Sequence, residues 1–130
     1  MDAGARELVR QRAGNRCEYC LLQQRQSGSL HQTEHIVARR HGGRDIPDNV
    51  ALACDRCNLR KGPNLSGIDP VSGVLAALFH PRRDVWAEQF RLQGVYIVGL
   101  TPAGRPTVQV LDMNGARRLQ SRSAILGELK

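Results

Sequence analysis

The chain has 130 residues, 41% hydrophobic but only 4% aromatic, and nineteen Lys and Arg against twelve Asp and Glu give a net charge of +7. That length fits one domain with a small appendage, and a core poor in aromatic side chains gains from a metal cross-link. No apolar run approaches a membrane span, and Met1-Asp2-Ala3-Gly4 leads into a polar stretch and not a signal peptide, so the expected compartment is the cytoplasm.

In chain order, residues 2–13 read as a short amphipathic helix with Leu8, Val9 and Ala13 on one side, ended by Gly14-Asn15. Residues 21–31 are polar, with a turn at Gly28. Thr33 to Val37 reads as a strand, and the basic stretch Arg39 to Asp48, with Gly42-Gly43 and Pro47, as a loop. Asp48 is placed to cap a helical turn through Asn49–Leu52, and a short helix is expected from Asp55 to Lys61, stopped by Gly62-Pro63.

Residues 62–70 form a Gly/Pro/Ser-rich connector, so the expected division is 1–66 and 67–130, the second part packed on the same core. Beyond it come an apolar helix (Val71–Phe79), a segment around Trp86 and Phe90, and two strands, Val95–Leu100 and Thr107–Leu111. Asn114 is placed to cap a last helix running to about Leu126. The fold class read from this order is α+β.

Four cysteines stand as Cys17-x-x-Cys20 and Cys54-x-x-Cys57. In a reducing compartment such pairs bind metal more readily than they form disulfides, and four thiolates suit a closed tetrahedral structural zinc site. A thioredoxin-like redox pair lacks its βαβ context here. A rubredoxin-like iron site has similar ligands but leaves the residues between the pairs unexplained. The pairs are 33 residues apart, well beyond the roughly 15–20 of a plain zinc ribbon, and the excess carries chemistry-bearing side chains. Only Lys61 and Lys130 are lysines, and arginine's planar fork favours bidentate contact with phosphate, so a polyanion is the expected partner.

Read together, Cys17-x-x-Cys20, Glu34-His35-Ile36, Gly42-Gly43, Asn49-Val50 and Cys54-x-x-Cys57-Asn58-x-x-Lys61 resemble the HNH endonuclease family over roughly residues 12–62. Phe79-His-Pro-Arg, Trp86 and Gly99-Leu-Thr-Pro-x-Gly-Arg are similar to an extension found in a bacterial subgroup of that family. The resemblance implies a ββα-metal core braced by the four-cysteine zinc site, followed by a helix and β-hairpin extension, and hydrolysis of phosphodiester bonds in DNA, taken as double-stranded.

It also assigns roles. His35 is the general base, of a side-chain type that titrates near neutrality, and Asn49 bonds across the loop to hold it. Glu34, where the family usually has aspartate, and Asn58, where the family name has its last histidine, are the ligands of a catalytic Mg²⁺ or Mn²⁺, a hard cation that prefers oxygen. Arg39, Arg40, Arg44, Arg60 and Lys61 are the phosphate contacts. Glu34 and His35 are neighbours on a strand and point to opposite faces unless the strand bulges. Many members carry proline three residues after the histidine, where this chain has Ala38. The alternative is a non-catalytic zinc-containing module that binds nucleic acid through its basic surface.

Overall fold

In the computed structural model residues 1–128 are described, and the chain forms two compact units, Met1–Leu65 with His80–Asp84, and Ser66–Phe79 with Val85 onward. The architecture is mixed, short helices with three separate two-stranded antiparallel sheets. No helix among the described residues is long and apolar enough to cross a membrane.

The first unit opens with α1 (Ala3–Ala13), whose N-terminus is capped by Asp2 Oδ1 accepting from the Ala5 amide at 2.8 Å. Of its expected apolar side only Val9 is fully buried, joining Val50 and Leu52 in a core cluster with Met1 and Ala13 packed against it, while Leu8 is left 67% exposed.

Strands β1 (Gln32–His35) and β2 (Val50–Ala53) pair antiparallel in continuous register, from Gln32 opposite Ala53 to His35 opposite Val50. A helical turn expected over Asn49–Leu52 is therefore a strand. The turn closes earlier, as a single 3-10 turn at Pro47–Asn49, and Val50-Ala51-Leu52-Ala53 is a buried apolar run of strand length. Next comes α2 (Asp55–Lys61), where the sequence places it, packed on both strands and ended at Gly62.

The second unit holds two corrections. The helix expected at Val71–Phe79 is a hairpin, β3 (Ser66–Ile68) with β4 (Leu75–Ala77), closed by Asp69, which accepts from the Val71 amide and the Ser72 hydroxyl. The strand expected at Thr107–Leu111 is helix α4 (Gly104–Val110), so the β-branched run Thr107-Val108 is overridden by packing. Its start is fixed by Gly99 at the end of β6 (Tyr96–Gly99), where a Cβ would lie 2.5 Å from the Arg105 backbone.

Between these elements run the single-turn α3 (Trp86–Gln89) and β5 (Phe90–Gln93), the latter antiparallel to β6. Phe79 meets Phe90 edge to face at a centroid distance of 5.1 Å, and Trp86 lies tilted against Phe90, also at 5.1 Å. The final helix, α5 (Ala116–Glu128), lies where the sequence places it. Asn114 serves elsewhere, pairing its amide with both backbone groups of Ile97 at 2.9 Å.

Candidate functional site

The four cysteines come together. All are buried, and their Sγ atoms lie within 4.8 Å of one another. Cys20 and Cys54 Sγ are 3.7 Å apart, close to the ~3.8 Å edge of a sulfur tetrahedron drawn around a metal at a Zn–S distance of about 2.3 Å. The Cys20 amide points at Cys17 Sγ and the Cys57 amide at Cys54 Sγ, each at 3.4 Å, which helps hold thiolate charge. Burial pushes the Cys17 and Cys57 thiols up, so four thiolates in this space need a dication among them. The donor set fits zinc, and its closed sphere leaves no position for a substrate.

The knuckles are tied into the fold on both sides. The Glu18 amide donates to the Leu52 carbonyl and the Leu52 amide to Glu18 Oε2, each at 2.8 Å. Arg82, on the 80–84 turn that belongs to this unit, makes an ion pair with Glu18 Oε1. Burial, and then the nearby Arg12, lower its guanidinium to about 10.

Because β1 is not bulged, Glu34 and His35 diverge. Glu34 turns inward and is 5% exposed. Its Oε2 accepts from Tyr19 Oη at 2.7 Å, and its Oε1 lies 2.6 Å from Lys61 Nζ, at ion-pair distance though off the hydrogen-bonding direction. Lys61 is 2% exposed and also donates to the Ile36 carbonyl at 2.8 Å. Burial raises the Glu34 carboxyl above its ordinary range, opposed by Lys61 and Tyr19. Tyr19 sits between the ligands of the first knuckle, so the buried triad joins knuckle, strand and helix.

These positions correct two expectations. Lys61 is committed inward and is not presented to a phosphate. Glu34 already has an ammonium against one oxygen and a phenol against the other, so as it stands it does not fit a Mg²⁺ or Mn²⁺ ion. Asn58, one turn before Lys61 on α2, is half-buried beside an open depression lined by Gln32, Asp55, Arg56 and Leu59. Its side-chain amide has no protein partner among the described residues. Apart from the cysteines, no group of three or more His, Cys, Asp or Glu ligand atoms is gathered among the described residues.

His35 faces the other way, toward the loop 36–49. Its side chain is 26% exposed, and Nε2 lies 3.2 Å from Asp45 Oδ1. Asp45 Oδ2 is 2.9 Å from the Met1 amino group and 3.9 Å from Arg39 Nη2. The amino group and His35 hold its carboxyl below the usual carboxylate range.

Asn49 ties the loop shut. Its Oδ1 accepts from the Val37 amide at 2.9 Å, and its Nδ2 donates to the carbonyls of Val37 at 3.0 Å and Arg44 at 2.8 Å. Arg12 reaches the same loop, donating to the carbonyls of Pro47 and Val50 at 2.9 and 2.8 Å. Gly43 lies so close to Val37 that a Cβ would fall 1.7 Å from its carbonyl oxygen, so the glycine serves the loop's own closure. Ala38 has φ −62° and ψ 153°, backbone values that proline shares. Arg39, Arg40 and Arg44 are exposed along this loop, and Arg60 is exposed on α2.

Sequence reasoning missed Asp45, Tyr19, Glu18 and Arg12. Asp45 follows Gly42-Gly43-Arg44 with no periodicity to single it out, and the others act through pairings only the fold brings together.

A family model described as HNH endonuclease matches residues 17–64, the segment from the first zinc-type knuckle through β1, β2 and α2. The match covers this segment alone, and the four-cysteine cluster able to hold a metal lies inside it. No curated protein and no solved structure was found to match the chain.

Proposed function

We propose that this chain is an HNH-type endonuclease that hydrolyses phosphodiester bonds in double-stranded DNA, with His35 as general base. The observation that carries this reading is the placement of His35, partly exposed at the end of a zinc-braced strand and beside a loop whose three exposed arginines face solvent. β1, β2 and α2 follow in the order of a ββα-metal core, and the family match spans them.

In this reading the phosphate settles against Arg39, Arg40 and Arg44, whose guanidinium groups offset the charge that builds on phosphorus oxygens. His35 takes a proton from water, the water oxygen bonds to phosphorus, and the bond from phosphorus to the 3′-oxygen breaks. The departing oxygen is protonated from solvent. Asn49 keeps the loop closed while this happens. Zinc in the cysteine cluster supplies rigidity. No step is assigned to a Mg²⁺ or Mn²⁺ ion at Glu34 and Asn58, because Lys61 already neutralises Glu34.

That same pairing favours a second reading, a zinc-braced module that binds nucleic acid without cutting it. Supercoiled plasmid incubated with the zinc-loaded chain, with Mg²⁺, with Mn²⁺ or with neither, separates the two. The nuclease reading expects nicked or linear product. Retarded but uncut plasmid under every condition supports the second reading. Chelators are left out, since they strip the structural metal.

A further inference from the structure

We infer that Asp45 is a positioning residue for His35, its carboxylate fixing the imidazole as the Nε2–H tautomer and leaving Nδ1 as the nitrogen that receives a proton. The geometry stands by itself, and its catalytic consequence rests on the nuclease reading above.

An ionised carboxylate only accepts, so a ring nitrogen 3.2 Å from Asp45 Oδ1 must carry the hydrogen between them. Nδ1 then holds the lone pair. It makes no hydrogen bond to the described residues, and the His35 side chain is 26% exposed. The acid's two oxygens are divided, Oδ1 to His35 and Oδ2 to the Met1 amino group and Arg39, so the pairing with the ring does not compete with the others.

The backbone that delivers Asp45 is itself pinned. The preceding carbonyl, that of Arg44, accepts from Asn49, and Gly43 is pressed against the Val37 carbonyl. The distance from ring to carboxylate is therefore set by loop closure. Asn49 and Asp45 thus divide the work between them. Asn49 fixes where the loop runs, and Asp45 fixes which ring nitrogen faces out. A carboxylate behind an imidazole orients it and selects its tautomer. Removing such an orienting partner costs on the order of 10–100-fold.

The test uses the full zinc-loaded chain as wild type, Asp45→Asn and Asp45→Glu. Long-range ¹H–¹⁵N correlation of the His35 ring reads the tautomer directly, and single-turnover cleavage with varied DNA reads rate and affinity. The expected result is an Nε2–H ring in the wild type, loss of that preference in Asp45→Asn, and a maximal rate down about 10–100-fold with DNA affinity little changed. Asp45→Glu restores part of the rate. A wild-type ring protonated at Nδ1, or ring signals and rate unmoved in Asp45→Asn, overturns the proposal. Because the first result comes from the wild type, it stands even if the variants fail to fold. A wild type that cuts no nucleic acid overturns the nuclease reading alone, and the ring spectrum still decides the role of Asp45.

Discussion

The two units of this chain reach order by different means. The unit built from Met1–Leu65 and His80–Asp84 buries four cysteines and the triad Tyr19–Glu34–Lys61, and holds the partly buried pair Glu18–Arg82. The other unit is mostly apolar inside, with Phe79, Phe90, Ile97, Leu111 and Met113 buried and one carboxylate, Asp69, held by a two-pronged bond to Arg105 at 2.8 Å for each prong. The first unit's aliphatic side chains are few and small, among the described residues Val9, Ile36, Val50, Ala51, Leu52 and Ala53, so hydrophobic burial alone contributes less there. To this it adds the four-cysteine cluster and the buried Glu34–Lys61 ion pair, and both of these also fix where side chains point. On the nuclease reading, a histidine that has to be held in one orientation gains from that kind of scaffold.

The sharpest way to break this comparison is to remove a zinc ligand. Cys57→Ser is expected to unfold the first unit, since metal binding to structural thiolate sites contributes roughly 10 kcal/mol or more to folding. Hydrogen exchange should then show lost protection in β1 and β2 while the amides of Ile97 and Leu111 keep theirs. Loss of protection throughout would show that the second unit depends on the first.

Next in size is the buried pair. Lys61→Met leaves Glu34 buried beside Tyr19 without its cation, at an expected cost of about 3–5 kcal/mol in urea unfolding. The double change Glu34→Gln with Lys61→Met should cost clearly less than the sum of the two single changes. In the apolar unit the matching change, Ile97→Ala, is expected to cost about 2–5 kcal/mol with no such partner to rescue it.

The smallest effect is set by pH. Asp69 is held well below the ordinary carboxylate range, chiefly by its bond to Arg105. A carboxyl depressed in the folded state contributes stability that is present above its unfolded value, about 3.9, and lost as pH falls through the folded value. Asp69→Asn should therefore melt lower than wild type at neutral pH, and the difference should shrink as pH falls below about 4.

What the sequence discloses follows from how local each signal is. The knuckle spacing, the helix Asp55–Lys61 and its stop at Gly62 are legible because two or three neighbouring residues decide them. Asn49–Leu52 reads wrongly as a helical turn because Asp48 resembles its cap, whereas Asp48 and Asn49 stand in the 3-10 turn that feeds β2. Thr107–Leu111 carries strand residues, yet Thr107 Oγ1 donates to the Ala103 carbonyl and accepts from the Phe79 amide, ties that hold it in a helix. At the site, His35 and Asn49 can be named from their neighbours. That Glu34 pairs with Lys61, 27 positions away, and His35 with Asp45 depends on which way β1 turns its faces, and one residue of register reverses that.

The nuclease reading requires that His35 do chemistry beyond forming part of a nucleic-acid-binding surface. Single-turnover cleavage of DNA by zinc-loaded wild type and His35→Ala, each checked for metal content and DNA affinity, tests it most directly. The account predicts a rate lower by about 10²–10⁴-fold in the variant at unchanged affinity. Equal rates in the two proteins would contradict it.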